Sequence, residues 1–198
     1  QPMKRIMILA SLVLAVAVSS AFAQADLDTF PIGTTRMVYN IRTEDMGQAQ
    51  ALELSVTAFA GGTFTVRMVT EGTGTKDEME AFGFIFGATH VSSGSGQNVS
   101  YSSLQALMDQ RSRLQEGQAY LLPGGGSFTS IVGVTLAGVW CLQGSLVDPD
   151  APDTRTTVAF ALSHPVYISP LIRVEELRSG QWVEVFSLEL VEYTVSGS

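Results

Sequence analysis

The chain has a single cysteine, Cys141, in the stretch Gly138-Val139-Trp140-Cys141-Leu142-Gln143-Gly144. A nucleophilic thiol needs a base and an electropositive setting that lower its pKa. The bases on offer are His90 and His164, neither near Cys141 in sequence. Its neighbours Ala137, Val139 and Leu142 are apolar, and among such residues a thiol behaves as a small hydrophobe. Packing is therefore the expected role. A disulfide within the chain is excluded, because one cysteine has no partner.

Other chemistry is thinly represented. Asp148, Asp150 and Asp153 place three carboxylates in one short loop, the oxygen-rich kind of segment that calcium favours. The stretch is not an EF-hand: Pro152 stands at its fifth position and the glycine is missing, so a solvated Asp/Pro turn is the simpler reading. Gly72-Thr73-Gly74-Thr75-Lys76 has glycines before a lysine but lacks P-loop spacing, and it runs into acidic Asp77-Glu78. No H-E-x-x-H, C-x-x-C or G-x-S-x-G occurs. Glu175 and Glu176 are adjacent in a strand-like run, where neighbours face opposite ways and do not form an acid/base pair. The sequence implies no cofactor and favours a non-enzymatic protein, with carboxylate-only catalysis as the remaining route for an enzyme.

The strongest binding signal is Ala81-Phe82-Gly83-Phe84-Ile85-Phe86-Gly87. In extended form Phe82, Phe84 and Phe86 share one face and could line an apolar cavity. Downstream, Ser102 and Gln105 have capping-box spacing, and Leu104, Leu107, Met108, Arg111 and Leu114 fall at helical intervals before Gly117. This spacing predicts an amphipathic helix over about 102–116, packed on a sheet because an isolated helix of that length is marginal. Phe82, Phe84, Phe86, Leu104, Leu107 and Met108 are the expected cavity-lining residues.

These segments must be held by a β framework, for elsewhere the dominant period is two. Thr35, Met37, Tyr39 and Ile41 alternate with polar residues, as do Leu52, Leu54, Val56 and Ala58, and then Phe64, Val66 and Met68 after Gly61-Gly62. Leu171–Leu177 and Trp182–Val195 flank Arg178-Ser179-Gly180-Gln181, a second hairpin signal. Val158, Phe160 and Leu162 form one more strand, stopped at His164-Pro165. The run 131–147 reads as one long strand bent at Gly138 and Gly144, with Trp140 facing the core, or as two strands joined near Gly138. The expected fold is mainly β: a curved antiparallel sheet or open barrel carrying the helix, with a two-sheet sandwich as the alternative.

Residues 1–23 read as a secretory signal peptide. Lys4 and Arg5 precede an apolar run from Ile6 to Val18, which ends in Ala21-Phe22-Ala23. The run is too short to span a bilayer easily, so no stable membrane span is expected after processing. A lipoprotein would carry cysteine just after such a run, and none is there. Residues 24–198 then form one domain.

The full chain has net charge −8; removing Lys4 and Arg5 from its 11 basic residues leaves 9 against 19 acidic ones. An acidic surface of this kind repels phosphate backbones, so nucleic acid is not an expected partner. The expected location is extracytoplasmic, in a periplasm or outside the cell. The expected function is binding or carrying an apolar small molecule or lipid; the alternative is an envelope structural or assembly module that binds another protein.

Overall fold

A computed structural model of the chain describes residues 26–76, 106–107, 110–122, 125–149 and 151–197. Residues 1–23, the expected signal peptide, lie outside these residues. So do Phe82, Phe84, Phe86, His90, Leu104, Met108 and Asp150. Among the described residues no helix is long and apolar enough to cross a membrane.

Among the described residues the strands are β1 (Gly33–Thr43), β2 (Gln50–Phe59), β3 (Thr63–Glu71), β4 (Tyr120–Leu121), β5 (Ser127–Leu136), β6 (Val139–Val147), β7 (Thr154–Ala161), β8 (Leu171–Arg178) and β9 (Gln181–Ser196). They form one sheet in the order β3-β2-β1-β9-β8-β7-β6-β5-β4, and every neighbouring pair is antiparallel. The first and last strands of that order do not pair, so the sheet is open rather than closed into a barrel. The two-sheet alternative is not what forms.

Local turns set much of this. Ala137 and Gly138 have φ of 47° and 82°, and Ser179 and Gly180 have φ of 51° and 79°. Two consecutive left-handed residues make the two-residue hairpin turn that suits strand twist. The segment 131–147 is therefore two strands, β5 and β6, turning at Ala137-Gly138, and not one bent strand. The register shifts lie elsewhere, at Val38/Tyr39, within Thr129–Val132 and at Val174/Glu175.

Gly144 serves another purpose: a Cβ there would fall 2.4 Å from the Phe128 ring, so the glycine makes room for a buried aromatic across the hairpin. Gly133 is crowded too: an added Cβ would fall 2.0 Å from the half-exposed Trp140 ring and 2.2 Å from Glu116 Oε1.

Two apolar clusters hold the sheet. The first gathers Met37, Tyr39, Ile41, Leu52, Leu54 and Val56 with Val139, Cys141, Ala159, Ala161, Val174 and Leu188. The loop between β7 and β8 helps cover it through Val166 and Ile168, and the Tyr39 hydroxyl donates to the Ile168 carbonyl at 2.9 Å. The second gathers Leu107 and Leu114 with Phe128, Ile131, Leu142, Leu146, Val158 and Phe160. Alternate residues of β6 and β7 thus enter different clusters, and both faces of this pair are covered. Six consecutive residues of β7 are buried.

This reverses one expectation. Trp140 is 44% exposed, whereas Cys141, on the opposite face, is fully buried in the first cluster. A strand covered on both sides gives alternation no single inward direction.

The helix expected over 102–116 is helical at Ala106, Leu107 and Gln110, then narrows to a 3-10 turn at Arg111–Arg113. It stops before 116. Tyr120 gives the reason: its hydroxyl donates to the Arg113 carbonyl at 3.0 Å and accepts from the Gln115 amide at 3.1 Å, satisfying groups that a further helical turn would otherwise use. Leu107 and Leu114 still pack on the sheet, as the apolar spacing required.

Candidate functional site

The outer edge strand β3 is where the fold leaves most unfinished. The turn Ala60-Gly61-Gly62, with φ of 108° and 76° at its glycines, reverses the chain after β2. β3 then pairs with β2 along all its nine residues, and among the described residues no strand pairs with its other side. None of those nine residues is buried.

The register places Phe64 opposite Ala58, Val66 opposite Val56 and Met68 opposite Leu54. Ala58, Val56 and Leu54 are core residues, yet Val66 is 39% and Met68 50% exposed. Among the described residues, the apolar face of the sheet therefore runs one strand further than its cover. Full burial of a side chain of this size is worth about 1.5–3 kcal/mol, so covering these half-exposed groups would recover about half of that for each.

The other face of the same edge is ionic. Arg36 on β1 donates from Nε to Glu53 Oε2 at 2.9 Å and also pairs with Glu192 on β9. Arg67 on β3 reaches the second oxygen of Glu53 with a longer contact of 3.3 Å and is 64% exposed. Exposed pairs of this kind contribute little to stability. At the end of the sheet, Ile32, Ala58, Phe59 and Ser196 help line an open depression of about 250 Å³. That is below the size usual for a drug-like ligand site.

Buried reactive groups are held inert. Burial pushes the Cys141 thiol from 9.0 up to about 11, and the thiol donates to the Val139 carbonyl at 3.4 Å. Burial likewise raises the Tyr39 phenol above its ordinary value. Ser163 Oγ lies 2.6 Å from His164 Nδ1, but the same hydroxyl accepts from the Trp140 amide, and this exposed pair organises the end of β7. Glu175 and Glu176 separate as adjacent strand residues should. Glu175 takes two bonds from Arg155, at 2.7 and 2.9 Å, whose guanidinium also stacks 4.6 Å from the Trp182 ring centroid. Buried Glu176 instead accepts from Arg178 at 2.8 Å.

Of the six expected cavity residues only Leu107 is described, and it is buried in the second cluster. Asp148 and Asp153 flank the β6–β7 turn, where the Asp148 carbonyl accepts from Ala151 at 3.0 Å and the Asp153 carbonyl accepts from Leu177 at 2.8 Å. Among the described residues no group of three His, Cys, Asp or Glu side chains could hold a metal ion. The β3 edge was missed as a site because its alternation reads like that of β2, and nothing in the sequence marks which strand ends the sheet.

The sequence matches no protein-family model and no curated protein. A solved structure, the complex of Pseudomonas aeruginosa MucA and MucB, aligns at 8% identity and a TM-score of 0.46, covering 92% of this chain and 57% of the matched chain.

Proposed function

We propose that the chain is a non-enzymatic envelope module, exported by its signal peptide, that binds another protein through its sheet. The observation that carries this reading is β3: a nine-residue strand whose outer edge no described strand pairs, with Val66 and Met68 on the core-facing side 39% and 50% exposed. Long apolar edges are aggregation hazards that folded proteins usually blunt or cover. β3 has no proline, a single basic residue in Arg67 and a single acidic one in Glu71. An edge kept this open is best understood as one that a partner covers.

The carrier reading draws on Phe82, Phe84, Phe86, Leu104 and Met108, which lie outside the described residues, and on Leu107, which is buried in the second cluster. Native mass spectrometry of the protein isolated from its own envelope tests the choice. A stoichiometric complex with another polypeptide supports protein binding. A retained lipid or other apolar small molecule without a polypeptide overturns it in favour of the carrier.

A further inference from the structure

We infer that the partner enters as an extended segment that adds a tenth strand outside β3, with apolar residues over Val66 and Met68 and a carboxylate opposite Arg67. The inference rests on the protein-binding reading and names the chemistry of its partner. Strand addition supplies main-chain hydrogen bonds to the free edge, and alternate side chains supply selectivity. On the core side of the sheet, an added strand extends the row that runs from Leu54 and Val56 to Met68 and Val66. On the ionic side it meets Arg67, which is 64% exposed and pairs with Glu53 Oε1 at 3.3 Å, while Arg36 holds the other oxygen at 2.8 and 2.9 Å. An incoming acid faces an exposed cation there; an incoming base is repelled.

The same charges disfavour a second copy of this chain. The antiparallel register that overlaps all nine residues of two β3 strands is centred on Arg67, which sets Arg67 against Arg67. Like charges directly opposite are destabilising, and shifted registers shorten the ladder.

The test uses two fluorescent peptides matched in length to β3. Each has valine at its second, fourth, sixth and eighth positions and threonine elsewhere, except the fifth, which is glutamate in one and lysine in the other. Wild-type protein should bind the glutamate peptide saturably and about tenfold more tightly than the lysine peptide. Arg67→Glu should reverse that order, and Val66→Lys or Met68→Lys should abolish binding while circular dichroism remains native. The reversal guards against a variant that merely unfolds. Equal binding of the two peptides, or binding of neither, overturns the inference. Self-association of wild type in sedimentation, lost in Val66→Lys, overturns it in favour of a second copy. A native envelope complex that survives Val66→Lys unchanged also overturns it, while leaving the protein-binding reading intact.

Discussion

Replacing Gly144 with alanine should destabilise the fold although it adds a single methyl group. In an unobstructed strand, Gly→Ala stabilises by about 0.4–1 kcal/mol, because the unfolded chain loses freedom. Here the new Cβ would lie 2.4, 2.7 and 2.9 Å from three atoms of the Phe128 ring. Ordinary carbon contacts need about 3.5–4.0 Å, so the ring must retreat by about 1 Å. It has no solvent to retreat into. Phe128 is fully buried and meets Phe160 edge to face, with centroids 5.9 Å apart. Overpacking of this kind costs about 1–3 kcal/mol, and the aromatic pair adds about 0.5–1.5 kcal/mol if its geometry is lost. The net expectation is a loss of about 2 kcal/mol, read as a lower urea midpoint at unchanged slope. In a Phe128→Leu background the same substitution should become nearly neutral, giving a coupling of about 2 kcal/mol in a double-mutant cycle. A Gly144→Ala protein as stable as wild type, or a cost that is the same in both backgrounds, refutes the reasoning.

Gly133→Ala should cost less than Gly144→Ala in the same urea assay, because the obstructing groups, the half-exposed Trp140 ring and the exposed Glu116 carboxylate, can swing outward; tryptophan fluorescence should shift to the red as the ring moves. Cys141 should label slowly with a thiol reagent in the folded protein and quickly after denaturation, and Cys141→Ala should cost about 1 kcal/mol or somewhat more. With the folded thiol raised from 9.0 to about 11, its protonated form contributes stability that is fully present below pH 9.0 and is lost as pH rises through about 11. The urea midpoint of wild type should fall over that window more steeply than that of Cys141→Ala.

What the sequence disclosed and what it hid divide on physical lines. β1, β2 and the β8–β9 hairpin were legible because one face of each alternation is apolar and the turn residues Ser179-Gly180 are strong local signals. The placement of β1 beside β9 was not legible, since it joins strands more than a hundred residues apart and no local pattern encodes it. Alternation misled for β6 because both its faces are buried, so Trp140 and Cys141 changed roles. The expected bends at Gly138 and Gly144 became a turn and a slot for a ring, two uses that look identical in a one-dimensional reading. The candidate site was hidden for a related reason. Phe64, Val66 and Met68 alternate as well as Leu52, Leu54 and Val56 do, and alternation tells which residues share a face, not whether anything covers it.

That difference in cover sets a gradient of local stability across the sheet, and the gradient can be measured. β7 has buried residues at six consecutive positions and lies between strands on both sides, whereas β3 has none buried and is paired on one side. Local opening is cheapest where few apolar contacts must be broken, so β3 amides should exchange by opening alone while β7 amides wait for global unfolding. In native-state hydrogen exchange, β3 protection should change little with low urea, and β7 protection should follow the global transition. The same experiment bears on the proposed interface, because a strand added to β3 would turn an edge into a central strand. Bound to the glutamate-bearing peptide, wild type should gain protection along β3 and keep the protection of β7 as it was. Protection in β3 already equal to that of β7 in the free protein would refute the gradient, and with it the argument that this edge is held open for a partner.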